Sequence, residues 1–272
     1  MRLARRLVVA GCLGTVLPLG LSVIMRRSAA AQRSNWVEQR IDGMRYDVLL
    51  PRDFTPDKRY PVLLYLHQLG MGSWPEGLHQ EIDPWFEAEA FRLRHPAIVV
   101  VPMLDQKEDK GGVTVNFGGK RTGGAAQQTV ISALAEVTAR YRVDPARIYV
   151  TGNSMGGMGT WAMLLDYNAY TGTKGRIFAA GMPLAGRHGL ADPVSAAKAL
   201  KTVPIWAIHG SHDPEVPLDW DRRMATLMSG NPNFRYTEDP NLAHDVWDTY
   251  YRQQRVWDWL FDQKALTLAR AS

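Results

Sequence analysis

Three short stretches of unbroken apolar residues limit the fold more than anything else in the chain. They are Tyr60-Pro61-Val62-Leu63-Leu64-Tyr65-Leu66, Ala97-Ile98-Val99-Val100-Val101 and the segment 203–209. Each is too short for a buried helix and apolar at every position but the terminal His209, so each reads as a strand covered on both faces. Between them lie segments with helical periodicity. In 127–142, Val130, Leu134, Val137 and Tyr141 form one stripe, and 155–166, 218–228 and 246–264 read as further helices. Weaker strand patterns occupy 44–50, 147–151, 178–184 and 233–237. Strands alternating with helices predict an α/β fold with a mostly parallel sheet flanked by helices. Neither a repeat nor a Pro/Gly/Ser-rich linker divides 32–272, so one domain is expected there.

The formal charge of +5 hints at a polyanionic partner until it is located. Residues 1–31 hold Arg2, Arg5, Arg6, Arg26 and Arg27 and no acid; the remainder carries 27 basic and 27 acidic residues. A nucleic-acid surface therefore has no support. The same leader has a charged start, an apolar centre from Leu7 to Ile24 and a small-residue end at Ala29-Ala30-Ala31. That is the order of a secretory signal cleaved after Ala31, which predicts a secreted or periplasmic protein without stable membrane association. A retained anchor is the rival, since the apolar stretch just reaches a bilayer span; Arg26 and Arg27 would then lie on the wrong side. Val9-Ala10-Gly11-Cys12 also resembles a lipoprotein box, and Arg5-Arg6 a twin-arginine signal. Cys12 is the single cysteine. The domain 32–272 must therefore be stable without disulfides.

Ligands of open α/β sheets sit beyond the carboxyl ends of the strands. There, Gly152-Asn153-Ser154-Met155-Gly156 forms G-x-S-x-G between a strand and a helix. A serine on so sharp a turn needs glycines on either side to avoid collisions, and the following helix start favours negative charge nearby. The motif predicts Ser154 as a nucleophile. Its hydroxyl needs an imidazole base, and the base needs a carboxylate, in the chain order Ser, acid, His. Asp213 lies in the loop after the strand 203–209, and His244 lies after the last strand, so Ser154, Asp213 and His244 are the expected catalytic set. Glu215 and Asp219 are alternative acids. Among the other histidines, His79 and His95 are expected at the surface, His67 to shape a turn, and His188 follows Gly186-Arg187 with no catalytic role expected. The oxyanion donors are expected to be the amides of Met155 and of the loop His67-Gln68-Leu69-Gly70, with Leu69 first and Gln68 second. No His/Cys/Asp cluster has ligand spacing, so neither a metal nor a cofactor is expected.

These residues resemble those of α/β-hydrolases, above all secreted feruloyl and acetylxylan esterases, polyhydroxybutyrate depolymerases and related predicted peptidases. The resemblance rests on 59–67, on Val143-Asp144-Pro145-Ala146-Arg147-Ile148-Tyr149 with 152–161, on 209–217, on His244-Asp245-Val246-Trp247 and on 257–261. Gln68 departs from it, because these esterases usually carry glycine after that histidine. The implied activity is hydrolysis of carboxylic esters through an acyl-enzyme, on small-molecule or polysaccharide-linked substrates. A peptidase of the same fold is the alternative, as is a catalytically silent carbohydrate- or polymer-binding protein. The glycine-rich segment of about 25 residues before the helix at 127 is long for a connection. Phe117 and Asn116 within it, with Trp85, Trp161 and Trp247, are expected to wall a pocket for short or aromatic acyl groups.

Overall fold

The computed structural model describes residues 35–104, 117, 125–169, 176–189 and 191–265. The chain divides into the units 1–34 and 35–272. The first, which holds the expected leader, lies outside the described residues, as does Asn116.

Eight strands build one sheet: β1 (Trp36–Ile41), β2 (Met44–Leu49), β3 (Tyr60–Leu66), β4 (Ile98–Met103), β5 (Val143–Asn153), β6 (Ala180–Leu184), β7 (Ile205–Gly210) and β8 (Phe234–Asp239). Their order across the sheet is β1-β2-β4-β3-β5-β6-β7-β8. The β1–β2 and β2–β4 pairs are antiparallel, and every pairing from β4 to β8 is parallel. The two-residue Asp42-Gly43 turn, with positive φ at both positions, joins β1 to β2, the geometry that matches the twist of a hairpin.

The continuous apolar runs are buried on both faces, as their composition demands. Val62, Leu64 and Leu66 pack with Val130, Leu134, Val137 and Trp161. Leu63 and Tyr65 point the other way, toward Ile82, Trp85, Phe86 and Trp257. Each such fully buried aliphatic side chain contributes roughly 1.5–3 kcal/mol, so β3, covered on both sides, anchors the sheet. One face is covered by α3 (Ala125–Arg140), α4 (Met155–Leu164), α5 (Pro193–Ala199) and α6 (Asp219–Leu227); the other by α1 (Pro75–Phe86), α2 (Glu89–Arg94), α7 (Val246–Tyr250) and α8 (Gln254–Asp262).

Several elements escape a reading by periodicity. α2 and α5 span six and seven residues, and α1 contains Gly77 and Pro84, so none fills a long periodic window. The expected closing helix 246–264 is two helices. Trp257 Nε1–H donates to the Tyr251 carbonyl at 2.8 Å, and the two rings stack at 5.1 Å, which ends α7 and sets the start of α8. β5 begins four residues before the expected 147 because Val143 already pairs with Tyr60. His79 and His95 are not free surface residues. His79 joins α1 to β2 through Asp47 at 2.7 Å, and buried His95 stacks on Phe261 at 4.7 Å.

Candidate active site

Parallel strands place their carboxyl ends along one edge, and the loops leaving β3, β5, β7 and β8 meet there. The turn after β5 is the tightest. Ser154 adopts φ 54° and ψ −117°, a conformation that costs an ordinary residue of order 1–3 kcal/mol. Its amide is tied to the Leu184 carbonyl of β6 at 3.0 Å. A Cβ on Gly156 would come within 1.8 Å of the Leu66 carbonyl oxygen, and one on Gly152 within 2.5 Å of the same atom. The two glycines thus let the elbow press against the end of β3, and Met155 opens α4 directly after the serine.

Ser154 Oγ lies 2.8 Å from His244 Nε2, and His244 Nδ1 lies 2.7 Å from Asp213 Oδ2. Asp213 is fully engaged. Its Oδ1 accepts the amides of Glu215 and Val216 at 2.8 and 2.9 Å, and its Oδ2 also accepts from His209 Nε2 at 3.0 Å. Burial alone would push the Asp213 carboxyl up, but the His244 N–H and the two amides together hold it below its usual range. The alternative acids are placed differently. Glu215 Oε2 stands 3.5 Å from His244 Nε2, on the serine side of the ring, and its side chain is largely exposed. Asp219 points away toward Arg187 at 3.6 Å. The base loop is braced from below: Gly210 leaves just enough room for the Ala243 carbonyl, and the His212 amide donates to Leu242 O at 3.1 Å. Trp247 sets its ring edge-on to His244 at 5.2 Å.

The loop after β3 is held by side chains rather than by a ladder. His67 is fully buried; its Nδ1–H donates to the Gln68 carbonyl at 2.7 Å and its Nε2 accepts the Leu104 amide at 3.1 Å, which fixes the tautomer. Burial pushes this imidazole down to about 4, against the upward pull of the Gln68 carbonyl. The Gln68 carboxamide turns inward. Its Oε1 accepts from Asn153 Nδ2 at 2.8 Å and its Nε2 donates to Glu81 of α1, while Tyr65 Oη donates to Asn153 Oδ1 at 2.7 Å. Gln68 therefore ties the loop to Asn153, the residue before Ser154. Leu69 beside it is 60 % exposed.

The expected aromatic wall does not exist in that form. Phe117 is fully buried, edge-on to His67 at 5.0 Å and seated against Gly159. Trp85 packs among Tyr65, Phe86 and Tyr251, and Trp161 against Trp220. All three belong to the core, because large rings gain most where both sides are covered; of the expected wall residues described, only Trp247 lies against His244. Leu69 and Trp74, at 60 % and 53 % exposure, are instead the exposed large apolar side chains of the 67–74 loop. Glu81 and Asp221 also went unnoticed in the sequence. Each is a carboxylate on a buried helical stripe, Glu81 between Leu78 and Trp85 and Asp221 between Leu218 and Met224, and that misplacement was the available signal.

Residues 40–172, just under half of the chain, match the Esterase family model. Feruloyl esterase C of Emericella nidulans is 27 % identical over 203 residues, covering 73 % of this chain and 65 % of its own length. A bifunctional acetylxylan esterase/xylanase of Neocallimastix patriciarum is 27 % identical over 175 residues, covering 63 % of this chain and 22 % of its own. The match thus spans less than two thirds of these relatives. Among solved structures, a thermostable esterase superposes with a TM-score of 0.67 at 24 % identity, over 85 % of this chain and 63 % of that one. The feruloyl esterase module from Clostridium thermocellum complexed with sinapinate gives 0.60 at 17 % identity, over 84 % and 88 %. The chain has the α/β-hydrolase fold, and it resembles esterases of the feruloyl and acetylxylan kind.

Proposed function

We propose that the protein hydrolyses carboxylic esters through an acyl-enzyme on Ser154. The observation that carries this reading is the continuous chain from Ser154 Oγ to His244 Nε2 at 2.8 Å and from His244 Nδ1 to Asp213 Oδ2 at 2.7 Å. His244 takes the serine proton as Oγ attacks the ester carbonyl. Asp213 holds Nδ1–H, so that Nε2 is the nitrogen free to accept. The oxyanion rests on the amides of Met155 and Leu69, with Gln68 as the alternative donor. His244 then gives its proton to the leaving alcohol, and a water molecule repeats the cycle on the acyl-serine.

The acyl group is short or aromatic, on a small ester or one linked to carbohydrate. Two things support this: the feruloyl and acetylxylan esterases among the relatives, and the apolar surface of Leu69 and Trp74 on the loop that supplies the second donor. In this reading residues 1–31 are an export leader and 32–272 the catalytic domain, acting in the periplasm or outside the cell. No helix among the described residues is long and apolar enough to cross a membrane. The test is a panel of nitrophenyl acetate, nitrophenyl octanoate, methyl ferulate, acetylated xylan and a peptide amide, with Ser154→Ala as the blank. Acetate or ferulate cleaved fastest is expected; peptide amide cleaved fastest would replace this reading with a peptidase.

A further inference from the structure

Behind the triad lies a buried imidazole that ester hydrolysis does not itself require. His209, at the end of β7, is 0 % exposed, and Asp221 of α6 is 1 % exposed. Both ring nitrogens of His209 face acceptors. Nε2 lies 3.1 Å from the Val216 carbonyl and 3.0 Å from Asp213 Oδ2, so it must carry a hydrogen. Nδ1 lies 2.8 Å from Asp221 Oδ2, so a second proton is held between them. Asp213 Oδ2 consequently receives two imidazole N–H groups, one from each side.

We propose that Asp221 and His209 form a second carboxylate–imidazole pair whose doubly protonated ring lies behind Asp213 and positions the triad acid for His244. The proposal rests on the triad reading above. Burial works against charge on His209, but Asp221, then Asp213, push its proton affinity above the ordinary imidazole range. Burial pushes the Asp221 carboxyl up against the pull of the His209 N–H, so the ring's charge turns on where the proton sits along the 2.8 Å contact. The other groups around the pair are Asp219 on α6, Glu238 and Tyr236 on β8, Tyr236 donating to Glu238, and the Trp161 indole on α4. Glu238 is engaged by Arg222 at 2.7 Å, and Asp219 is exposed beside Arg187, so neither competes for His209. Asp213, already bound by two amides, gains from His209 a donor that prevents its carboxylate from rotating away from His244.

Imidazole nitrogen NMR on the intact protein, labelled with ¹⁵N-histidine, reads the pair directly and needs no substrate. His209 is expected to show both nitrogens protonated at pH 8; a neutral ring with a single N–H would overturn the proposal. In Asp221→Asn, His209 should become neutral while keeping Nε2–H. With Asp213 less firmly held, kcat should then fall by about tenfold, with KM little changed. A lowered melting temperature with kcat intact would mean that the pair is only structural, and would sink the idea. His209→Leu should lower kcat by about a hundredfold, and His209→Gln, which can still donate to Asp213, should recover part of that loss. A protein that hydrolyses no ester but shows the doubly protonated His209 would refute the catalytic reading and leave the buried pair standing.

Discussion

The two sides of the candidate site are built on different terms. On the triad side, Ser154 and Asp213 follow the buried parallel strands β5 and β7, His244 follows the half-buried edge strand β8, and short loops bring them together. On the oxyanion side, the loop after β3 keeps its shape through side-chain contacts from distant segments: His67 to Leu104, and Gln68 to Asn153 and Glu81. The first kind of geometry is written in strand order and local turns. The second depends on which side chains turn inward, and it should give way in smaller steps when single contacts are removed.

The sharpest test is on the triad side. Ser154→Ala should lower turnover on the order of a million-fold, as expected when a triad nucleophile goes, with the melting temperature unchanged or raised. Retention of a tenth of the activity would locate the nucleophile elsewhere. Asp213→Asn comes next, with a loss of about ten-thousand-fold through the wrong tautomer. Glu215→Gln should stay within about threefold, since an exposed carboxylate contributes little. The reverse pattern would transfer the acid's role to Glu215.

Changes beneath the oxyanion loop should appear in stability before activity. Phe117→Ala should cost about 3–5 kcal/mol of folding stability, as for other buried aromatic rings, and leave KM for a nitrophenyl ester nearly unchanged. A raised KM with an intact melting temperature would restore Phe117 to a pocket wall. Acid should act in the same place. His67 stays neutral down to about 4 although an unfolded imidazole titrates near 6.5. Between those values the unfolded chain binds more protons, so stability falls as pH drops from 6.5 toward 4, on the order of 3 kcal/mol. Thermal melts across that range should flatten in His67→Asn, which can still donate to the Gln68 carbonyl; an equal slope in both proteins would remove His67 as the cause. A smaller loss than that of Asp213→Asn belongs to Gln68→Ala. Ala removes the two hydrogen bonds to Asn153 and Glu81, each worth about 1 kcal/mol net, so kcat should fall about five- to thirtyfold while KM holds. A change in KM alone would make Gln68 a substrate contact instead.

The contrast also explains what could be read from the residues. The runs at Tyr60–Leu66 and Ile205–Gly210 have one comfortable environment, a strand covered on both faces, and the sheet follows from them. The Gly-flanked Ser154 announces a turn that few other residues tolerate. Trp85, Trp161 and Phe117 carry no such mark. A ring is chemically as suited to a pocket as to a core, and only the packing of α1 and α4 against the sheet decides. Gln68 was conspicuous by its departure from glycine, but its partner Glu81 sits on a helix interrupted by Gly77 and Pro84, which hid the element that holds it.

The Ser154 backbone carries one last implication. Its φ of 54° is a conformation natural to glycine, so Ser154→Gly would release strain while removing the hydroxyl. The substitution that most relaxes the elbow is therefore also the one that silences it. A search for heat-resistant variants scored on melting temperature alone would drift toward inert proteins. Selection for robustness in this scaffold has to be coupled to turnover at every round, and gains should be sought in α2 and α5, whose short helices lie outside the strained turn.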